Sequence, residues 1–163
     1  MAAPNPALPD VCQIFPREDC MPRLQLTPRS AYPFSIELVV RVTDLNYGGH
    51  LGNDRVLALL HEARVAFLSD HGWSEMDCAG TGLIMTDAAV QFRGEAFAGD
   101  RLLIAVAMGE AARTGFRFFY RITRRGDDAV IAVAETGMAC FDYQRRRVAA
   151  VPEPVRRLCE EDR

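Results

Sequence analysis

A short polar segment rich in glycine carries the residue types best suited to chemistry in this sequence. Residues 44–54 read Asp-Leu-Asn-Tyr-Gly-Gly-His-Leu-Gly-Asn-Asp, and the carboxylate of Glu62 follows a little further along the chain. Carboxylates and histidines move protons at neutral pH, and glycines let main-chain N–H groups approach a ligand closely. This combination of groups could move a proton and donate main-chain hydrogen bonds to a ligand.

The composition excludes several other kinds of catalytic machinery. All 19 basic residues are arginine, so a Schiff-base lysine, a lysine general base and a P-loop lysine are impossible. The sequence has no Gly-x-Ser-x-Gly elbow of the kind that presents a catalytic serine. The five cysteines are widely spaced and form no Cys-x-x-Cys pair, which argues against a disulfide framework and a zinc site. We predict no metal and no cofactor.

The overall composition is that of a globular protein in aqueous solution. The 163 residues suit one domain, 49% of them are hydrophobic, and the formal net charge is −3. A negative protein has no general attraction for nucleic acid or for an anionic membrane. No stretch is long and apolar enough to span a membrane, and the first residues do not resemble a secretion signal. We expect a cytoplasmic protein that binds neither nucleic acid nor membrane.

Proline content and apolar patterning divide the chain into three segments. Residues 1–33 hold seven of the nine prolines and are predicted to form a flexible extension. Translation that starts at Met21 is an alternative explanation for the residues before it. Residues 34–155 form the predicted domain. Residues 156–163 are predicted to be a charged C-terminal tail, which follows the start of a short charged helix.

The predicted domain consists of one strand, one long helix and four further strands. Residues 34–41 alternate between apolar and polar side chains, as in a strand with one buried face. Asn53 is a good N-cap for a helix that runs to Asp70. The apolar positions at helical spacing are Val56, Leu59, Leu60, Ala63 and Phe67. The later strands are predicted at 82–92, 100–109, 115–124 and 129–142. This order predicts an α+β fold in which an antiparallel sheet packs on a single helix.

The strand at 100–109 is almost continuously apolar. A strand with this pattern has both faces covered. We expect the helix to cover one face and a partner chain or a loop to cover the other, and we infer an oligomer.

The segment at 44–55, together with Glu62-Ala-Arg64 in the helix, resembles the signature of the 4-hydroxybenzoyl-CoA thioesterase-like group of the hot-dog superfamily. The strand near Val90-Gln-Phe92 and the turn at Gly99-Asp100 are similar in order and spacing. The resemblance implies a hot-dog fold, in which an antiparallel sheet of five or six strands wraps a long central helix. It also implies an acyl-CoA thioesterase whose site lies at a dimer interface, within a homodimer or homotetramer. The implied partner is an acyl-CoA substrate.

Thioester hydrolysis needs hydrogen-bond donors for the oxyanion and a group that activates water. We place the oxyanion hole at the main-chain amides of residues 51–54, at the start of the helix. The resemblance implies a carboxylate at position 46, but Asn46 can act neither as a nucleophile nor as a base. The carboxylate role then passes to Glu62. Asn53 and Glu62 lie ~13 Å apart along one helix, so Glu62 is expected to come from a partner chain.

Two sets of site residues are therefore predicted. The candidate catalytic residues are Asp44, Asn46, His50 and Glu62. The candidate substrate-binding residues are Gly49, Leu51, Gly52, Asn53 and Asp54. Several of them have simpler structural alternatives: Asp44 as an acceptor for loop amides, Asn53 as a helix cap, and Glu62 as a buried partner of Arg64. His61 and His71 are predicted to face solvent.

Three arginine clusters and two alternative functions remain open. The clusters are 145–147, 124–125 and 156–157, and guanidinium groups in them could hold the phosphates of coenzyme A. Their alternative role is a solvated, charged surface that protects a strand edge. Because Asn46 lacks a carboxylate, the chain could instead be a non-catalytic acyl-thioester binding protein. A hot-dog dehydratase or hydratase is a third alternative.

Overall fold

The computed structural model describes residues 24–161, and the predictions for the segment before Leu24, including a start at Met21, lie outside this part of the chain. Its strands and helices are β1 (Phe34–Val39), a 3-10 helix (Val42–Asp44), α1 (Asn53–Asp70), β2 (Gly82–Phe92), β3 (Arg101–Gly109), β4 (Gly115–Arg124), β5 (Val130–Asp142), β6 (Arg147–Val148) and α2 (Glu153–Glu161).

The strands form one antiparallel sheet in the order β1-β3-β4-β5-β2, with the short β6 paired to β5. The predicted architecture, an antiparallel sheet on one long helix, is confirmed. The first strand ends two residues earlier than predicted, because the chain turns into the 3-10 helix. Both β1 and β2 are edge strands of this sheet.

The core lies between α1 and one face of the sheet. The five apolar positions predicted for the helix are all buried. Phe67, at 1% exposure, packs edge-on against Phe34 and Phe118, each with a ring-centroid distance of 5.5 Å. The C-terminal segment joins this core, because Val155 and Cys159 of α2 are buried. The folded domain therefore extends beyond residue 155, into the segment predicted to be a tail.

Residues 24–33 cross the outer face of the sheet, opposite α1, and we call them the strap. The Leu26 main-chain N–H donates to Gln91 at the β2 edge, with an N···O distance of 3.1 Å. The Arg29 guanidinium lies 4.7 Å from the centroid of the Phe119 ring on β4. The sequence predicted none of these contacts, since proline content alone does not show what a segment lies against.

The strap also changes the interpretation of the apolar strand β3. Its outer-face residues Ala105 and Ala107 are buried, at 7% and 0% exposure. Gly109 at the end of this strand has no side chain and so makes room for Arg29. If residue 109 carried a Cβ atom, that atom would lie only 3.3 Å from Nη2 of Arg29. The chain itself supplies this cover, so the apolar character of β3 is no longer an argument for an oligomer.

Candidate active site

The polar loop between the 3-10 helix and α1 is closed on itself by hydrogen bonds. The main-chain N–H of Asn46 donates to the carbonyl of His50 at 2.8 Å. The Asn46 side-chain oxygen in turn accepts from the amides of Gly48, at 2.9 Å, and His50, at 3.4 Å. Asn46 is exposed, and these bonds use its oxygen to shape the loop. Its side-chain NH₂ group is the part left to contact a ligand.

The substitution Asn46→Ala is expected to lower the free energy of unfolding by about 1 kcal/mol. It removes the acceptor of two loop amides, and hydrogen bonds of this kind contribute about 0.5–1.5 kcal/mol. Asn46→Asp retains an acceptor oxygen and should leave stability close to that of the parent chain. Urea unfolding of the three proteins measures the difference, and equal loss in both variants would show that the oxygen is not what matters.

Asp44 joins the start of the loop to the start of the helix. Its carboxylate accepts the Arg41 amide at 2.8 Å, and its main-chain carbonyl accepts the Gly52 amide at 2.8 Å. These contacts correspond to the structural alternative predicted for this residue. A catalytic role of Asp44 stays a prediction.

The start of α1 differs from the prediction by one residue. Gly52 occupies the N-cap position and Asn53 is the first helical residue, so the prediction of Asn53 as the cap is wrong. Gly52 is buried, and a Cβ atom there would lie 2.5 Å from the Asp54 carboxylate oxygen. A residue with a side chain, and hence a side-chain cap, does not fit at this position without displacing Asp54.

Two of the four amides assigned to the oxyanion hole are already occupied. The Leu51 amide donates to the Ala96 carbonyl and the Gly52 amide to the Asp44 carbonyl, each at 2.8 Å. This part of the prediction needs correction, because a bonded N–H cannot also hold an oxyanion. Asn53 and Asp54 are exposed, and the first amides of an α-helix have no acceptor within the helix. Those two amides are the available donors.

The His50 side chain packs against the connection between β2 and β3. Its Nδ1 lies 3.2 Å from Glu95 Oε1, although the alignment is too poor for a hydrogen bond, and its ring centroid is 5.2 Å from that of Phe97. The chain reverses sharply just before it, where Gly49 adopts a φ of +78° that favours glycine. His50 is thus held by the loop hydrogen bonds with Asn46 on one side and by the ring of Phe97 on the other.

Glu62 does not pair with Arg64, so the structural alternative predicted for it is wrong. It is exposed on the side of α1 that faces β1. There it lines a groove of about 480 Å³ together with Arg41, Asp44 and other residues. The catalytic role of Glu62 stays a prediction. Its side chain lies on the β1 side of α1 and not at the β2 edge.

Arg64 instead takes part in a polar cluster that the sequence did not reveal. Its side chain is 6% exposed, and its Nε donates to Glu75 Oε1 at 2.7 Å. The other carboxylate oxygen of Glu75 lies 2.9 Å from Nε2 of His61. Burial alone would raise the pKa of Glu75, but the hydrogen bonds from Arg64 and His61 outweigh it and hold the pKa below its ordinary value. We call these three residues the His61 cluster.

The His61 cluster borders a groove between α1 and the edge of the sheet. This groove has a volume of about 260 Å³. Its lining residues are Leu57, Ala58, Leu60, His61, Arg64, Met85 and Thr136. Four of these residues are apolar, and the polar ones are His61, Arg64 and Thr136, whose hydroxyl is bonded to Tyr120 at 3.2 Å. Such a groove suits an apolar or aromatic group.

The two helix histidines behave differently from each other. His61 is exposed, as predicted. His71 is partly buried, because its ring stacks on Phe67 at 4.5 Å and on Trp73 at 5.4 Å, and its Nδ1 lies 2.9 Å from the Phe67 carbonyl. The prediction for His71 is therefore wrong, since the turn after α1 folds an aromatic residue back onto it.

The described cysteines are poorly placed for reaction. Cys78, Cys140 and Cys159 are buried. Burial raises the pKa of Cys78 to about 12, so its thiol stays protonated and is no nucleophile at neutral pH. Residues 24–161 contain no cluster of three or more acidic, histidine or cysteine ligands that could hold a metal ion. They also contain no helix that is long and apolar enough to cross a bilayer.

Comparison with known proteins identifies the family. A model of the thioesterase-like superfamily matches residues 40–158. The chain belongs to this superfamily. A 1,4-dihydroxy-2-naphthoyl-CoA hydrolase from Synechocystis is 27% identical over 124 residues, which are 74% of this chain and 90% of the relative. The predicted family and the predicted class of enzyme, a thioester hydrolase, are confirmed.

Solved structures of thioesterases share the fold. The crystal structure of a 1,4-dihydroxy-2-naphthoyl-CoA thioesterase from Synechocystis gives a TM-score of 0.67 at 27% identity, covering 74% of this chain and 90% of that one. A thioesterase superfamily structure from Jannaschia gives a TM-score of 0.71 at 17% identity, with 78% and 81% covered. The predicted hot-dog fold of this thioesterase is confirmed.

Proposed function

We propose that this thioesterase hydrolyses an acyl-CoA thioester to a free acid and coenzyme A, at a site formed between two copies of the chain. The observation that carries the proposal is the pair of free amides at Asn53 and Asp54, exposed at the start of α1 beside a polar loop. Amides in this position stabilise the oxyanion that forms when water attacks a thioester carbonyl.

The edge strand β2 supports pairing with a second copy. It is eleven residues long, and Ile84, Met85 and Phe92 on it are 37%, 46% and 47% exposed. A long apolar edge with unpaired main-chain groups is a template for another strand. The opposite edge is less suitable, because Glu37 on β1 is bound by Arg101 and Arg125. We therefore place the dimer axis at β2.

Antiparallel pairing about the middle of β2 brings different parts of the two copies together. The loop and the start of α1 lie near the C-terminal end of β2, where Leu51 is bonded to Ala96. The groove lies near the other end, at Met85. A two-fold axis through the middle of β2 places the C-terminal end of one β2 strand beside the N-terminal end of the partner's β2 strand. The amides of one copy then face the groove of the other, which leaves room for an acyl group between them.

The predicted site residues take these roles in the proposal. The Asn53 and Asp54 amides hold the oxyanion, while Asn46 and Asp44 maintain the loop that presents them. Gly49 and Gly52 permit the turn, and Leu51 anchors it to the β2–β3 connection. His50 contacts the thioester side of the substrate. Glu62 lies on the β1 side of α1. For Glu62 to activate water, the second copy of the chain would have to pair along β1 instead of β2.

An aromatic acyl group fits the groove and agrees with the name of the Synechocystis relative. For the phosphates of coenzyme A, the arginine clusters differ in availability. Arg124 is bound to Asp127 and Arg125 to Glu37, and Arg157 is bound to Glu153. In the exposed hairpin at 145–147 the ion pair of Arg145 with Asp142 is longer, at 3.8 Å, and we assign phosphate contact to this hairpin.

The test measures thiol release from bicyclic aryl, monocyclic aryl, short alkyl and long alkyl acyl-CoA. We expect turnover that is highest with an aryl substrate. Binding without thiol release would favour the non-catalytic alternative, and hydration of an enoyl-CoA would favour the hydratase; either result would contradict the proposal.

Disrupting the β2 edge tests the dimer. Ile84→Asp places a charge on that edge outside the groove lining, so we expect sedimentation to show monomers and the specific activity to fall at least tenfold. Val148→Asp is the matched control, because Val148 is 57% exposed on the separate short strand β6. It should retain both dimer and activity. A fully active monomeric Ile84→Asp protein would refute the shared site.

A further inference from the structure

We propose that His61 is the catalytic base of this thioesterase, and that Glu75 and Arg64 position it. The inference rests on the proposed thioester hydrolysis at a site shared by two copies. It assigns the water-activating step to a residue of the groove, whereas the sequence assigned it to a carboxylate.

The carboxylate of Glu75 determines which nitrogen of His61 can act. An ionised carboxylate has no proton to donate, so at the 2.9 Å contact the Nε2 atom must carry the hydrogen. The neutral ring then has its lone pair on Nδ1. The side chain is 55% exposed in the single chain, so Nδ1 is accessible to a water molecule.

Arg64 fixes the carboxylate that orients His61. Its Nε holds Glu75 Oε1 at 2.7 Å while Oε2 is directed at His61. Arg64 is itself confined by burial, at 5% exposure. A histidine backed by an immobilised carboxylate has a defined tautomer and ring orientation, as general-base catalysis requires.

The other candidate bases are less suitable. Asn46 has no basic atom, and Glu62 lines the groove on the β1 side of the helix. His50 lies near Glu95 but is not aligned with it in a hydrogen bond. Along one helix His61 is ~12 Å from Asn53, so it acts on a carbonyl bound at the amides of the partner copy. The pairing of β2 edges brings these two parts together.

The reaction step balances without any further reactant. Nδ1 of His61 accepts a proton from water as the water oxygen bonds to the thioester carbon, and the carbonyl oxygen becomes an oxyanion at the Asn53 and Asp54 amides. The oxyanion then collapses, the C–S bond breaks, and the imidazolium returns its proton to the departing thiolate. The products are a carboxylic acid and the thiol of coenzyme A.

The experiment compares His61→Gln, His50→Gln and Glu62→Gln with the parent chain, using the acyl-CoA that the parent turns over fastest. Glutamine at 61 can still donate to Glu75 but cannot accept a proton from water. We expect kcat to fall about 100-fold or more with KM changed less than threefold, in line with loss of a general base. Added imidazole should restore part of the rate to His61→Ala, which leaves space for it.

A conservative variant of Glu75 separates positioning from simple packing. Glu75→Gln should lower kcat at least tenfold with KM changed less than threefold, because a neutral amide no longer fixes which nitrogen of His61 carries the hydrogen. Glu75→Asp keeps a carboxylate and should recover part of that rate. An unchanged kcat in a folded Glu75→Gln protein would refute the positioning role of Glu75.

The outcomes distinguish the two proposals. Turnover by the parent chain with an unchanged rate in His61→Gln would refute the role of His61 and leave the proposed function standing. A larger loss in Glu62→Gln or His50→Gln than in His61→Gln would assign the base to that residue instead. No thiol release by the parent chain from any substrate would overturn both proposals together.

Discussion

Asn53→Pro is expected to lower kcat by about 100- to 1,000-fold while the protein still folds. Loss of one oxyanion donor costs a factor of this size, and proline removes the N–H of residue 53. Proline is tolerated at the first position of a helix, where the amide has no partner within the helix. The preceding residue is also compatible, because Gly52 has φ −64° and ψ 140°, the extended conformation that a residue before proline requires.

Asn53→Ala provides the control for this experiment. It removes the side chain and keeps the amide, so kcat should stay within a few-fold of the parent value. Circular dichroism and sedimentation establish that both variants fold and dimerise. Full activity in a folded Asn53→Pro protein would show that the amide of residue 53 does not bind the oxyanion, and would leave Asp54 as the available donor.

Arg64→Ala is expected to reduce the free energy of unfolding by about 3 kcal/mol. Removing one member of a buried ion pair costs about 3–5 kcal/mol, and the lower value applies because the Glu75 side chain is 28% exposed. Guanidinium-induced unfolding at neutral pH measures the loss. Glu75→Gln and the double variant complete a mutant cycle, in which the two single effects should not add.

The effect of Arg64→Ala should depend on pH. The pKa of Glu75 is lowered in the folded chain, so the pair contributes its full stability above the ordinary pKa of a glutamate. That contribution disappears as the pH falls through the lowered pKa. The difference between parent and variant should therefore narrow in acid. A difference that is constant from neutral pH to pH 3 would mean that Arg64 acts through packing and not through the carboxylate.

The sequence predicted the elements well because their signals are local. Alternation and turn residues located β2 to β5, and helical spacing identified the buried positions of α1 from Val56 to Phe67. The resemblance of the polar loop directed the prediction to the connection before α1, and a catalytic role for this connection stays a prediction. These predictions use neighbours that are close in sequence.

The chemistry within that site was less predictable, since it depends on contacts between distant residues. Glu75 lies beyond the end of α1, in a turn with no distinctive pattern, so its bonds to His61 and Arg64 follow only from the folded chain. The hydrogen bond from the Leu51 amide to the Ala96 carbonyl likewise depends on how the β2–β3 connection packs against the loop. An arginine on the buried stripe of a helix was the one available signal that a carboxylate partner was needed.

The strap limits how four copies of this enzyme could assemble. Arg29 and Tyr32 lie over Phe119 and against Arg121, across the middle of the outer sheet surface. If the proposed dimers assemble further, their sheets cannot stack back to back unless this segment is displaced. A tetramer that keeps the strap in place has to join its dimers through their helical sides or through the remaining sheet edges.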